Sequence, residues 1–600
     1  MKPFYQVLSI KLLCLVFALS LPEFGFAQSV ANARVVDANT DEPLPYATIA
    51  DLSGSRGTLS NTDGVFALEI KNPTDTISIS FLGYQTAILS AEELLALNEI
   101  RLTPEVTQLT DVIVTADDDY LYQIINQCRA SVKDAPIEWS RAFLQHVTRS
   151  NDHPIEMIQA YYNVSSSQKA IDDLILKNGR VAMAPINGRY FVNLGMTQAI
   201  TRLDLYSKSR SFNSHPLQLN LRQLRRRYEL DRRPSLGNAN LYHIAFQPKR
   251  KHAAYFSGEI WIDKSTYNLR KIILRDDSLE RHPFVSVFPD QEIEYINLEL
   301  AFTFSMDENS QRLNHLQWNY ELNLKPTGRR PTGGLQRLYA RISNKVSASG
   351  ILHCYQYRDL FWEPFFEYSP EHNDYRKISF LPYNPNFWNA NHGLVYSEQQ
   401  LSDMAYFQEN GFLMNHADFP SDDEPFFQFN NPHWQADKRV RYKYEEQEGR
   451  PNPANNVPMT RFDPWSTIDS EDDIAVQIML DINRLEDSIS FVSSTVLDIF
   501  ETESEPPYDS LDHCLLNMYF DLCEIERRQM IARIASLDDI NFENLKREHE
   551  ISTQQIRILQ RDFFSEVRGA RPKRMIKKWN KIIVDNLEID NLETFKIKLE

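Results

Sequence analysis

The chain has 600 residues, of which 12% are aromatic and only 18 are glycine, a composition of several globular domains rather than of a disordered or fibrous chain. Its formal charge of −18 argues against nucleic acid or an anionic membrane as a partner, because such binding is carried by a basic surface. The five cysteines show no spacing of a metal or redox motif.

Lys2 and Lys11 precede an apolar run from Leu12 to Leu21, and Gly25-Phe26-Ala27 supplies small residues at the positions a signal peptidase reads. The run is too short to span a bilayer. Cys14 lacks the small residues that normally precede a lipidated cysteine. The expectation is an export leader over residues 1–27, cleavage after Ala27, and a mature chain that starts at Gln28. Loss of the leader removes two lysines and one glutamate, so the remainder is slightly more acidic.

Residues 28–116 carry the most specific signal. Val35-Val36-Asp37 is followed by TDEPLPYATI from Thr40 to Ile49, by Gly57-Thr58, by Asn61-Thr62-Asp63-Gly64-Val65-Phe66, and by ISISFLGYQ from Ile77 to Gln85. Phe66, Leu68 and Ile70 alternate with polar or small residues, as do Ile77, Ile79 and Phe81, the period of half-buried strands. Asp63-Gly64 is a turn pair, and Pro43 and Pro45 bracket a strand entrance where a missing amide does no harm. This stretch resembles the carboxypeptidase-like regulatory domain family. The resemblance implies a non-catalytic, transthyretin-like seven-stranded sandwich that attaches or spaces other domains. Leu109 to Ala116 resembles the short strand that follows this module in envelope proteins, including TonB-dependent receptors. Such a receptor needs a plug and a barrel of about 22 strands, more than the remaining residues supply.

Residues 117–420 are expected to form one domain. Asp117 to Ala130 reads as a helix with Leu121, Ile124, Ile125 and Cys128 as its buried stripe. From about 140 to 359 the pattern is long alternating strands. Ile296, Leu298, Leu300, Phe302 and Phe304 should face Leu316, Trp318, Tyr320, Leu322 and Leu324 across a hairpin turned at Asp307 to Ser310, and a second hairpin runs from Tyr255 to Asp276. With the strand from Tyr242 to Pro248, this order resembles the curved half-barrel sheets of periplasmic lipoprotein-carrier proteins, and envelope proteins that pair such a sheet with the regulatory module. The aromatic-rich stretch from Phe361 to Leu413 holds Trp362, Phe365, Phe366, Phe380, Tyr383, Phe387 and Trp388. It reads as a cap on the sheet in preference to a ring-stacking ligand surface, since an irregular segment offsets its ordering entropy by burying side chains.

Residues 421–465 read as a polar linker with acidic and proline-rich runs. Beyond it, 466–600 is expected to be a helical, bundle-like domain of four helices: Asp473 to Phe500, a stripe of Leu511, Leu515, Met518, Leu522 and Ile525, another of Ile556, Leu559 and Phe563, and a third from Pro572 with Ile576, Trp579 and Ile583, after a stop at Gly569. Cys514 and Cys523, nine residues apart on one helix, fall on opposite faces and should not pair.

The search for chemistry returns no Gly-x-Ser-x-Gly elbow, no phosphate-cradling loop and no His-Glu-x-x-His pair. His153-Pro154-Ile155-Glu156 has zinc-ligand spacing, but a strand would send the two side chains to opposite faces unless a bulge intervenes. Arg222, Arg225, Arg226, Arg227, Arg232 and Arg233 form a run that guanidinium–phosphate bonding could use at lipid head groups, although such a run is more often a solvated surface. Asn61, Thr62 and Asp63 lack the full spacing of a calcium loop. No catalytic, cofactor or metal residue is therefore assigned.

The sequence reads as a multidomain, mainly β protein with an α C-terminal part: a β-sandwich, a large antiparallel curved sheet and a helical region. The expected role is a non-enzymatic, exported envelope protein of the periplasm or outer membrane, which holds an apolar ligand or an envelope partner on the sheet. The competing readings are a membrane-inserted barrel with Gln317, Asn319 and Glu321 lining a lumen, and a zinc carboxypeptidase. Ligand, partner and oligomeric state stay open at this point.

Overall fold

The computed structural model describes residues 29–52, 56–105, 119–132, 136–186, 189–190, 195–233, 240–250, 254–279, 281–284, 291–305, 312–326, 344–368, 372–391, 393–415, 431–440, 474–485, 488–499, 501–502 and 509–599. The leader, the Leu109–Ala116 strand, the Asp307–Ser310 turn and most of the linker lie outside them. The chain divides into two compact units, Met1–Pro104 and Glu105–Glu600.

The first unit holds β1 (Ser29–Asp37), β2 (Thr48–Asp51), β3 (Gly57–Leu59), β4 (Val65–Ile70), β5 (Thr76–Ser80), β6 (Ala87–Ser90), α1 (Ala91–Ala96) and β7 (Glu99–Leu102). They make two sheets in the orders β4-β1-β7 and β3-β2-β5-β6. Between the sheets Val35, Ile49, Phe66, Leu68, Ile77 and Ile79 are buried, as the alternation of period two requires. Gly64 sits at φ 78° in its turn, where Asn61 Oδ1 accepts from the amides of Asp63 and Val65 at 2.9 and 2.8 Å. Asn61 is thus used up as a turn former. Tyr84 donates to Asp37 Oδ2 at 2.6 Å and fixes the Gly83-Tyr84 corner, which holds the Asp37 carboxyl below its ordinary range.

The second unit opens with α2 (Asp119–Ser131), then β8 (Glu138–Ser150), β9 (His153–Ser166), β10 (Ile171–Met183), the short β11 (Pro185–Ile186) and β12 (Arg189–Tyr190), α3 (Met196–Ile200), α4 (Leu221–Arg227), β13 (Tyr228–Arg232), β14 (Leu241–Pro248), β15 (Ser257–Asp263), β16 (Leu269–Asp276), β17 (Gln291–Phe304), β18 (Leu313–Pro326) and β19 (Asn344–Tyr357). After these come α5 (Asp374–Ile378), α6 (Pro385–Ala390), α7 (Glu398–Asn410) and β20 (Phe412–Met414). An 11-stranded sheet runs in the order β13-β14-β15-β16-β17-β18-β19-β8-β9-β10-β20, and each neighbouring pair is antiparallel. Among the described residues its end strands β13 and β20 do not pair with each other, so the sheet as described is open.

The hairpin of β17 and β18 brings together the two expected apolar sets, with Ile296 opposite Leu322, Leu298 opposite Tyr320, Leu300 opposite Trp318 and Phe302 opposite Leu316. The apolar face built from these residues is filled by the chain itself. Leu121, Ile124, Ile125 and Cys128 of α2 pack there, together with Met196, Leu203, Phe212, Leu217, Leu279 and Phe284. Trp318 is 1% exposed, and its indole lies over Gly350, where an added Cβ would sit 2.3 Å from the ring. An apolar ligand on this face, as the sequence led us to expect, would have to displace that packing.

Part of the opposite face is covered by the aromatic-rich stretch. Tyr161 of β9 meets Phe361, Phe387 and Trp388 edge-on at centroid distances of 5.9, 5.1 and 5.4 Å, which is the cap the sequence predicts.

The C-terminal part corrects one expectation. Residues 473–500 are not a helix: β21 (Val476–Leu485) and β22 (Ser488–Leu497) form a hairpin paired residue for residue. The alternation of Val476, Ile478, Leu480 and Ile482, with Ile489, Val492, Thr495 and Val496 β-branched in β22, outweighs helical periodicity there. Helices α8 (Ser510–Ala535), α9 (Phe542–Val567), α10 (Pro572–Leu587) and α11 (Asn591–Thr594) follow. From Leu516 to Glu526 every residue of α8 is buried, the signature of a central helix, so Cys514 and Cys523 are both buried although they point in opposite directions. Residues 431–440 of the expected linker dock on α8, where Asp521 accepts from Trp434 Nε1 at 2.7 Å and Arg439 Nη1 at 2.8 Å.

Among the described residues one ion pair joins the hairpin to the sheet, beside Met479 and Val496, which pack in the sheet's apolar core. A register shift in β10 between Leu176 and Asn178 places Lys177 so that its Nζ donates to Asp481 Oδ1 and to the Ile482 carbonyl, both at 2.5 Å. Asn178 and Asn384 donate to Asp481 Oδ2 at 3.2 and 2.9 Å. Lys177 and Asp481 are each 1% exposed. Removal of one member of such a buried pair leaves an uncompensated charge. Asp481→Ala should therefore cost about 3–5 kcal/mol in urea unfolding followed by tryptophan fluorescence, which reports the second unit alone because residues 1–104 contain no tryptophan. The double variant Lys177→Met with Asp481→Leu should recover most of that loss. A single-variant cost below about 1 kcal/mol, the range of exposed pairs, would show that the pair is not a structural joint.

Candidate functional site

The polar face of the sheet is set by the same alternation that buries Trp318. Across β16, β17, β18, β19 and β8, one row of register partners is Arg275, Glu299, Asn319, Ser349 and Val147. The next row holds Asn297, Glu321, Ser347 and Arg149. Where the aromatic cap ends, these rows line an open groove of about 440 Å³. Asn297, Asn319, Ser347 and Ser349 make its floor, and Arg149, Arg275, Asp276, Asp277, Glu299 and Glu321 its flanks.

The flanking charges are fixed by partners. Arg275 bonds Glu259 Oε1 at 2.9 Å and Glu299 Oε2 at 2.5 Å, and His243 Nε2 meets Glu259 Oε2 at 2.7 Å, so a ladder of charge crosses β14 to β17. Burial would raise the Glu259 carboxyl, but hydrogen bonds from Arg275 and His243 outweigh it and the pKa is lowered. Arg149 is bonded to Asp403 of α7, which ties the end of the cap to the groove wall. Lys345 bonds Glu321 at 2.9 Å. Two arginines thus face four carboxylates, and Asn297 Oδ1 is buried with no hydrogen-bond partner among the described residues. The groove is rich in acceptors and suits a ligand that brings N–H donors and positive charge.

Of the residues singled out from sequence, Asn319 and Glu321 line this groove, and they lie on an outer face rather than in a lumen. Arg275, Asn297, Ser347 and Ser349 were missed. Their signal is the polar half of each strand's alternation, which becomes a site only once register brings five strands side by side.

His153 and Glu156 are not brought together. A register shift does fall near them, between Thr148 and Arg149, but His153 is at the exposed start of β9, stacked on Tyr406 at 5.6 Å, whereas Glu156 is fully buried. Glu156 ends a hydrogen-bond chain through the apolar face. Trp318 Nε1 donates to His146 Nδ1 at 3.0 Å, His146 Nε2 lies 3.0 Å from Thr148 Oγ1, and Thr148 Oγ1 donates to Glu156 Oε2 at 3.0 Å. Burial pushes the His146 pKa down to about 3, so His146 is a neutral link in this chain although Glu156 is 3.9 Å away. Among the described residues no group of three His, Cys, Asp or Glu side chains could hold a metal ion.

Residues 33–114 match the CarboxypepD_reg-like domain family, which agrees with the seven-stranded sandwich of the first unit. No curated protein matches the chain. Solved structures similar to it include a LolA superfamily protein from Nitrosomonas europaea, at 12% identity over 40% of this chain and 94% of that one with a TM-score of 0.17, and a chain of the Pseudomonas aeruginosa MucA/MucB complex, at 9% identity over 39% and 93% with a TM-score of 0.13. At these TM-scores the likenesses carry no functional argument.

The buried imidazoles set a pH dependence. His146 and His215 are both depressed to about 3 by burial, while an unfolded histidine titrates near 6.5. Below pH 6.5 the unfolded chain binds protons that the folded chain refuses, so stability falls with pH by about 1.4 kcal/mol per unit for each histidine, down to about pH 3. His146→Gln should lower this slope by one histidine's share between pH 6 and pH 4 in urea unfolding. A slope equal to that of the parent would show that His146 titrates normally in the folded protein.

Proposed function

We propose that this chain, whose residues 33–114 are a CarboxypepD_reg-like domain, is a non-catalytic binding protein of the bacterial cell envelope. It is exported by the leader at residues 1–27 and works on the periplasmic side of the outer membrane. The sandwich module acts as an attachment or spacing domain, and the second unit offers the binding surface. The acceptor-rich groove on the polar face carries this reading. An 11-stranded sheet with one face filled by its own core and the other capped only in part presents a preformed, rigid floor, and the groove flanks hold twice as many carboxylates as arginines. The ligand that fits is a polar, extended segment of an envelope partner with at least one basic side chain.

This reading replaces the apolar ligand expected from sequence, because Trp318, the α2 stripe and Phe212 occupy the apolar face. Enzymatic activity has no support in the site: Arg275 and Glu299 of the groove pair with each other, Arg149 and Glu321 are held by Asp403 and Lys345 from outside it, and the histidine–carboxylate chain through His146 is shut off from solvent.

A photoreactive residue placed at Asn319 should cross-link one envelope protein when the mature chain is expressed in its own compartment. Ser349→Trp, which fills the floor, should abolish the cross-link without a change in thermal unfolding. Native mass spectrometry of the same preparation should show a chain free of lipid. A stoichiometric apolar molecule, or cross-linking unaffected by Ser349→Trp, would overturn the assignment to the groove.

A further inference from the structure

The edge strand β13 and the helix before it form a basic surface on an acidic protein. In α4, Arg222, Arg225 and Arg226 stand at spacings of three and four, hence on one face, and all three are exposed while Leu224 anchors the other side. Arg232 and Arg233 at the end of β13 are exposed too. The amide of Lys249 bonds the Arg227 carbonyl at 2.8 Å, which brings exposed Lys249 and Arg250 beside the helix end.

Among the described residues the neighbouring acids are Asp119, Glu229 and Asp231. Asp119 is paired with Arg225 at 2.6 Å, and Asp231 lies 3.4 Å from Arg233. By strand alternation Glu229 and Asp231 share a face with Glu259, whereas Arg232 lies on the other with Ile244. On that side is a tyrosine rim. Tyr242 and Tyr267 stack at 6.4 Å, Lys264 Nζ lies 5.6 Å from the Tyr242 ring, and Tyr120 at the start of α2 is 38% exposed. Arg227 lies 5.6 Å from the Tyr255 ring.

We propose that this edge docks the protein on an anionic lipid surface, with guanidinium groups on head-group phosphates and the tyrosine rim at the level of the head groups. Two features point to lipid phosphate. Arginine bonds phosphate bidentately, which lysine cannot do, and tyrosine with arginine or lysine is the composition of a membrane–water interface. A second basic stretch, Lys573, Arg574 and Lys577 on α10, lacks such a rim: the helix's one tryptophan, Trp579, is buried and bonded to Glu566. The range of the interaction is set by screening, about 8–10 Å in physiological salt, so the local patch governs binding despite the overall charge of −18. The inference rests on the envelope location proposed above and is independent of the groove.

The test is flotation of the purified mature chain with vesicles of phosphatidylglycerol and phosphatidylethanolamine, against phosphatidylcholine vesicles, at 0.1 and 0.5 M salt. Binding should require phosphatidylglycerol and be lost at high salt. The variant Arg222→Glu, Arg226→Glu, Arg232→Glu should bind at least about tenfold more weakly, and Lys573→Glu, Arg574→Glu, Lys577→Glu should bind like the parent. Circular dichroism melts and the Asn319 cross-link should be unchanged in both, which separates failure of this inference from failure of the groove assignment. The proposal is overturned by absence of binding, by equal binding to phosphatidylcholine, by an equal loss in the α10 variant, or by full competition from millimolar inorganic phosphate. Binding to an acidic peptide in place of vesicles would likewise overturn it and assign the edge to a protein partner.

Discussion

The buried pair of Lys177 and Asp481 is the constraint on which the second unit turns. A lysine inside a long strand is a costly choice, because an ammonium loses its hydration there and regains it only through well-placed acceptors. Burial lowers the Lys177 pKa, and the Asp481 charge opposes that shift. The irregularity at Leu176 and Asn178 turns the side chain toward β21, the Ile482 carbonyl takes a second proton of the ammonium, and two asparagines satisfy the outer oxygen of Asp481. Trp388 Nε1 donates to Asn178 Oδ1 at 3.1 Å, so the aromatic cap is tied into the same network. A pair of this kind contributes little net stability compared with an apolar contact of equal volume, but it has one satisfactory geometry. It therefore specifies where the hairpin, and with it the helices on the hairpin's far side, must sit.

Once that joint is made, the two faces of the sheet have different fates. The apolar face has no choice: its leucines, isoleucines and phenylalanines must be covered, and the chain covers them with α2, the segment around α3 and the stretch from Leu279 to Phe284. The polar chain from Trp318 through His146 and Thr148 to Glu156 crosses β18, β8 and β9 within that core. It satisfies each buried group in turn, which pins the register of strands whose apolar pattern alone would tolerate slippage by two residues. Among the described residues the cap stretch, which runs from the end of β19 to β20 at the sheet's edge, covers the other face over β8, β9 and β10. What it leaves bare over β16 to β19 is the groove.

Groove and basic edge are different kinds of surface. The groove is concave, rich in carboxylates and already cross-linked by its own ion pairs, so it favours a segment that can insert donors between them. The edge of α4 and β13 carries exposed guanidinium groups. A protein acidic overall would be repelled by an anionic membrane at long range, and a confined cluster of arginines with a tyrosine rim acts where screening removes the long-range part.

Much of this was legible in the chain itself. Alternation of period two marked the sandwich strands, the β17–β18 hairpin and the polar and apolar sets of each strand, since a strand has only two faces. The stripe of Leu121, Ile124, Ile125 and Cys128 located α2, and Pro572 marked the start of α10. Where local rhythm is ambiguous it misleads: residues 473–500 precede helices and read as one, although β21 and β22 pair as a hairpin. The site was decided by tertiary structure alone. Asn297, Asn319, Ser349 and Val147 come from four strands up to 202 positions apart in sequence number, and no local pattern states which strands will be neighbours or where a cap will stop. Nor does sequence tell that Lys177 faces inward, since a lysine in a strand is ordinarily solvated and only a partner 304 residues away makes its burial tolerable. Local periodicity is a property of consecutive residues, whereas burial, pairing and concavity belong to residues that meet only when the chain has closed on itself.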